Sequence, residues 1–193
     1  MDKLTSELIP ILILLAVIAF VVHRLPKVQL GHTAEFKRRR LLNWLPLGLT
    51  YAFLYMGRYN LNTLKDWNLI SGAEFGDVDG IGGLVYGVAF LVNGPLTDKF
   101  GGRLAILLAA AGAAGANLAI GGVIAVTGKP PEPLLLTVLY ALNMYFQSFG
   151  AVAIVKVNAS WFHLRERGTF GGIFGILISI GLYLAYDLSL IHI

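Results

Sequence analysis

Cysteine is absent from this 193-residue chain, which excludes disulfides, thiolate metal sites and cysteine nucleophiles. Histidine is scarce. His23, His32, His163 and His192 stand at separate segment ends with no ligand spacing among them, so no metal site is expected. Charge is scarce too: 13% of residues are charged against 56% apolar, where soluble domains carry roughly 25% charged residues. The net charge of +4 is not a nucleic-acid footprint, because the basic residues sit in short islands between apolar runs. The chain also lacks a phosphate-binding Gly-x-x-x-x-Gly-Lys-Ser/Thr, a His-Glu-x-x-His and a Gly-x-Ser-x-Gly. With those absences, no enzyme and no cofactor are expected.

What is present is hydrophobicity spread along the whole chain, and the expected class is an all-α, polytopic membrane helix bundle. Leu8 to Val22 is apolar, but the preceding residues are not net positive and no small-x-small cleavage site follows. It therefore reads as an uncleaved leader helix with its N-terminus outside, marginal in length for a span. Residues 1–40 form an extra segment ending in the basic run Lys37-Arg38-Arg39-Arg40, and residues 41–187 form the core. Core helices are expected at about Leu41–Leu64, Gly80–Leu96, Leu104–Val126, Leu134–Trp161 and Thr169–Tyr186. Lys65 to Asp79 reads as an acidic outer loop, and Gly128 to Pro133 as an outer turn because its prolines cannot continue a helix. Ten lysines and arginines then fall on the inner side against Lys3, Lys65 and Lys129 outside, as the positive-inside rule requires. Only Arg58 and Lys156 remain within helices.

Small residues recur four apart at Gly83 and Gly87, Ala111 and Gly115, and Gly171 and Gly175. Such spacing permits close backbone approach in lipid and predicts helix contacts there. The stretch Asn93 to Arg103 reads as a short charged turn between two membrane segments. Gly94, Asp98, Lys99, Gly101 and Arg103 resemble the loop signature of the major facilitator superfamily, Gly-x-x-x-Asp-Arg/Lys-x-Gly-Arg/Lys-Arg/Lys, with Gly102 in place of one basic residue. Gly94 is expected to let helix ends approach, and Asp98 to meet a basic side chain or a helix N-terminus.

Tyr55-Met56-Gly57-Arg58-Tyr59-Asn60 resembles the first-helix string of the organophosphate:phosphate antiporter family, aromatic-x-x-Arg-x-Asn. The resemblance implies that Arg58 binds a substrate phosphate and offers Lys156, where some members carry a basic residue, as a further candidate. Tyr55 and Tyr59 share one helical face with Tyr51 and are candidates to line a pathway beside Arg58, with aromatic packing as the alternative. Tyr86-Gly87 and the stretch Gln147 to Gly168, with Gln147, Gly150, Trp161, Glu166 and Arg167, are also similar to that family. Phe90 and Ile178 stand where well-known members carry a lysine and a histidine, which widens the implied substrate to organic anions, with phosphate or protons as coupling ion. By residue type alone, two roles stay open for Arg58, a cavity-facing anion ligand or a side chain snorkelling to the surface. Lys156, about one turn from its helix end, has the same two. The amides Asn60, Asn62, Asn93, Asn117, Asn143, Gln147 and Asn158 read as interhelical hydrogen-bonding groups.

The resemblance implies two six-helix halves with the substrate between them, so the partial fold here is a leader helix and five core helices, lacking its second half. Leu188 to Ile193 reads as the translation of a common transposase-derived sequencing adapter, and the natural chain is expected to be longer. A transporter in a bacterial inner membrane is the expected function. A channel-like or structural membrane subunit is the alternative.

Overall fold

The computed structural model describes residues 30–183 together with 185, 186 and isolated positions between 12 and 24. The leader segment lies mostly, and the last six residues entirely, outside the described residues. Among those described there are five long helices and no strand. We number them α1 (Ala34–Asp66), α2 (Gly72–Phe100), α3 (Gly102–Thr127), α4 (Pro133–Ala159) and α5 (Arg167–Tyr183), with a 3₁₀ turn at Leu164–Glu166 before α5.

Local chemistry sets the helix ends, and it moves several boundaries away from the expected ones. Thr33 caps α1 by accepting from the Phe36 N–H at 3.2 Å, so the helix starts at Ala34 and Lys37 to Arg40 form its first turns, not a linker. Ser71 and Glu74 form a reciprocal capping box on α2. That box satisfies two N–H groups at once and starts the helix at Gly72, so Glu74, Asp77 and Asp79 are helical and not a loop. At its other end α2 continues through Pro95 to Phe100. Asn93 to Phe100 is therefore helix, and the turn shrinks to Gly101, whose φ of 86° is a conformation glycine adopts at little cost. Pro133 opens α4 at its first turn, where its missing N–H has no partner to lose.

Among the described residues three helices, α2, α3 and α4, are long and apolar enough to cross a membrane. Large side chains on them face outward, including Leu91 (77% exposed), Leu118 (75%) and Val126 (88%). Such an apolar exterior suits hydrocarbon and not water, and the chain is an integral membrane protein.

Helix α4 is the hub, packed along α2 and α3, while α1 pairs mainly with α5. The core is in two parts. One stacks Leu47, Tyr51 and Leu54 of α1 on Ala105, Ala109 and Ala113 of α3 and on Phe149, Ala153 and Ile154 of α4. The other gathers Leu61, Leu64, Val78, Leu136, Tyr140 and Met144. Close approach occurs at glycines other than the expected ones. A Cβ on Gly82 would strike the Tyr140 ring, on Gly102 the Val157 side chain, on Gly112 the Phe146 ring and on Gly181 the Ala52 carbonyl. By contrast, a Cβ on Gly83, Gly87, Gly115, Gly171 or Gly175 would meet nothing within 4 Å among the described residues, and Ala111 is exposed. The spacing rule finds a small-residue stripe but not which way it faces.

Candidate functional site

Arg58 lies on α1 with its side chain directed into the bundle, not outward. Its Nε donates to Gln147 Oε1 of α4 at 3.0 Å. Gln147 Nε2 donates to Asn143 Oδ1 at 2.9 Å, and Asn117 Nδ2 of α3 reaches the same oxygen at 3.2 Å. Asn60 of α1 closes the line on Asn117 Oδ1 at 3.5 Å. Gln147 and Asn143 are fully buried, so the bond between them forms away from competing water or lipid, and the line as a whole ties three helices together.

Two aromatic rings flank the guanidinium. Its Cζ is 4.8 Å from the Tyr55 ring centre and 4.4 Å from that of Tyr86 on α2. Each such contact contributes about 0.5–2 kcal/mol, which offsets part of the roughly 2.5–3.5 kcal/mol that an arginine costs at a bilayer centre. Gln147 uses the Nε–H, and the four N–H groups of the two terminal nitrogens form the fork suited to phosphate or carboxylate oxygens. A space of about 270 Å³ lined by Asn60, Leu61, Trp67, Asn117, Ile120 and Tyr140 lies at the far end of the amide line and does not border Arg58.

The four candidate ligands do not converge. Tyr55 joins Arg58, but Tyr59 faces the other way, its ring 5.6 Å from that of Tyr186. Lys156 is at the far end of α4, where its Nζ lies 2.6 Å from Asp98 Oδ1. The motif acid thus meets a basic side chain, as expected. With side chains 34% and 76% exposed, the pair contributes little on its own. The expected close approach at Gly94 is not found among the described residues. Two residues with larger roles than their reading gave them are Gln147 and Asp79. The first holds the guanidinium, and the second reaches the Tyr140 hydroxyl at 3.2 Å. Asp79 was obscured because Gly76 and Gly80 interrupt the apolar pattern around it. Of the amides, Asn60, Asn93, Asn117, Asn143 and Gln147 bridge helices and Asn62 donates to the Tyr186 hydroxyl at 2.7 Å, while Asn158 bonds Ile154 O within its own helix.

At the same end as the motif, Arg40 of α1 is paired with Glu166, one terminal nitrogen, Nη1, donating to both carboxylate oxygens at 2.9 and 3.0 Å. The guanidinium also lies 4.6 Å from the centre of the Phe162 ring. Burial pushes the Glu166 pKa up. The Arg40 bond, the His163 N–H and the Arg40 charge outweigh that and leave it below the ordinary glutamate value. A lowered folded-state pKa contributes stability above the unfolded value, and that contribution disappears as pH falls through the folded one. Glu166→Gln is expected to cost about 2 kcal/mol near neutral pH and to flatten the acid limb of the stability curve. Thermal unfolding in detergent across acid pH checks both.

Residues 47–189 match the Major Facilitator Superfamily. The chain is 26% identical over 152 residues to Membrane sensor protein UhpC of Salmonella typhimurium, covering 76% of this chain and 32% of the relative. It is 24% identical over 160 residues to Membrane sensor protein UhpC of Escherichia coli, covering 80% and 34%. The chain thus spans about a third of the length of these curated relatives. No solved structure matches it. The helix bundle is a partial major facilitator fold, and the resemblance to the organophosphate:phosphate antiporter family accords with these matches. The family match covers most of the described bundle, and the chain belongs to the Major Facilitator Superfamily.

Proposed function

We propose that this chain supplies one helical half of a secondary transporter that moves an organic or phosphorylated anion by alternating access. The observation that carries the reading is Arg58, a permanent cation inside a lipid-embedded bundle, held by Gln147 and flanked by Tyr55 and Tyr86. An intramembrane charge of this kind usually serves a substrate path, and guanidinium geometry matches phosphate oxygens. In the two-halved architecture, a second set of helices faces this one and completes the site near the midplane. Antiport against phosphate follows from the family resemblance. The basic end, with Arg40, Lys99 and Arg103, is assigned to the inside of a bacterial cytoplasmic membrane by its charge.

A second reading is favoured by the relatives' names: both are membrane sensor proteins, and a sensor uses the same anion site to report occupancy without turnover. The natural protein, purified and reconstituted in vesicles, separates the two. Counterflow of labelled phosphate or an organophosphate is the expected result. Saturable binding without counterflow supports the sensor, and neither binding nor counterflow removes the anion reading.

A further inference from the structure

Phe90 of α2 is 41% exposed and belongs to neither core cluster, yet it does not share the outward face of its helix. Leu84 and Leu91, 69% and 77% exposed, lie roughly 140–160° around α2 from Tyr86 at 3.6 residues per turn. Phe90, four residues on, lies only about 40° from Tyr86. The two rings are in contact, 5.8 Å between centres, and the Tyr86 ring centre is itself 4.4 Å from Arg58 Cζ. Asn93, on the same side, is buried against α4. Phe90 therefore extends the aromatic flank of Arg58 by one helical turn, about 6 Å, with part of its ring uncovered among the described residues.

The polar groups around Arg58, by contrast, are already engaged within the protein. Gln147 accepts from Arg58 at one end and donates to Asn143 at the other. The Tyr86 hydroxyl is hydrogen-bonded to Arg58 and that of Tyr55 to Tyr51. Asn143 Nδ2 has no partner among the described residues, but it is enclosed in the bundle. A substrate body rich in hydroxyls loses its bonds to water on entering such a place and finds few groups free to replace them. A flat apolar body loses none and gains from a neighbouring ring, since aromatic pairs are favourable with centres 4.5–7 Å apart. Arg58 is also the interior cation here. Among the described residues the other lysines and arginines lie in turns or in the end turns of helices, which leaves one anionic head for this half to hold.

We propose that this half recognises an anion with an aromatic body, its head on the terminal N–H groups of Arg58 and its ring beside Phe90. Phe90 is then the residue that sets the preference for an aromatic over a hydroxylated body. The proposal deepens the anion reading and rests on it, since the head must bind Arg58 for the ring to reach Phe90.

Phenyl phosphate and glycerol phosphate carry the same head on an aromatic and on a hydroxylated body, so calorimetric titration of the purified natural protein with each isolates the body. Phenyl phosphate is expected to bind about tenfold more tightly, the upper end of what an aromatic pair adds. Phe90→Ala is expected to bring the ratio of the two affinities to within about twofold, and Phe90→Tyr, which keeps a ring, to retain it. Because Phe90 lies outside both core clusters, both variants are expected to fold. Glycerol phosphate bound as tightly as phenyl phosphate, or a preference that persists unchanged in Phe90→Ala, overturns the proposal and leaves the anion reading standing. Binding of neither ester, nor of inorganic phosphate, removes the anion reading and the proposal with it.

Discussion

Arg58→Lys is expected to lower the kcat/KM of anion exchange by about 100-fold, equivalent to about 2.7 kcal/mol, while leaving the protein folded. The charge is retained, so a role limited to electrostatic attraction predicts a small effect. The loss arises from geometry. The guanidinium uses Nε to bond Gln147 at 3.0 Å, and with the Tyr86 hydroxyl also hydrogen-bonded to the side chain its planar fork is held in one orientation. An ammonium is a compact point charge that cannot be held in plane by Gln147 while presenting two parallel donors. Stacking against Tyr55 and Tyr86 is also weakened, because a strongly hydrated ammonium loses more on entering an aromatic site. Initial-rate uptake in vesicles, with protein amount and thermal stability measured alongside, checks the prediction. Uptake by the lysine variant equal to that of the unaltered protein would place Arg58 outside the binding site.

The largest structural effect is expected at Gly181→Ala. In α5 this glycine lies against the backbone carbonyl of Ala52 in α1, and an added Cβ has no flexible side chain to displace. The two helices must separate, and α1 is the helix that carries Arg58. Overpacking of this kind costs about 3 kcal/mol. Gly175→Ala in the same helix is the control. A Cβ there meets nothing within 4 Å among the described residues, and replacing an exposed helical glycine by alanine gains up to about 1 kcal/mol. Thermal or detergent-denaturation midpoints are expected to move in opposite directions for the two variants. A Gly181→Ala protein as stable as the unaltered one would contradict the α1–α5 packing described here.

The contrast between those two glycines marks how far a linear reading reaches. Gly171 and Gly175 satisfy the four-residue spacing and a Cβ on either meets nothing within 4 Å among the described residues, whereas Gly181, which pairs at that spacing only with Ala185, is the one in contact. Spacing reports a face of a helix, and which face turns inward depends on what the neighbouring helices present. The second helix is a similar case. Gly76 and Gly80 break the apolar run, so Glu74 to Asp79 reads as loop, whereas the Ser71–Glu74 capping box commits the backbone to helix two turns earlier. Lys156 shows the same limit for a charge: residue type left it two roles, and its pairing with Asp98 on another helix decided where it sits.

The amino-acid sequence by itself determined the membrane class, the number of core helices up to residue 186, the motif that names the superfamily and the identity of Arg58 as the unusual cation. These follow from composition, hydrophobic run length and short strings, all of which are local. Only the tertiary structure decided that Gln147 orients that cation, that Tyr86 joins Tyr55 while Tyr59 does not, and that Asp79 meets Tyr140. Each of these pairings joins residues on different helices, far apart along the chain. Their geometry is set by helix rotation and close backbone contact, quantities to which no single segment of sequence is sensitive.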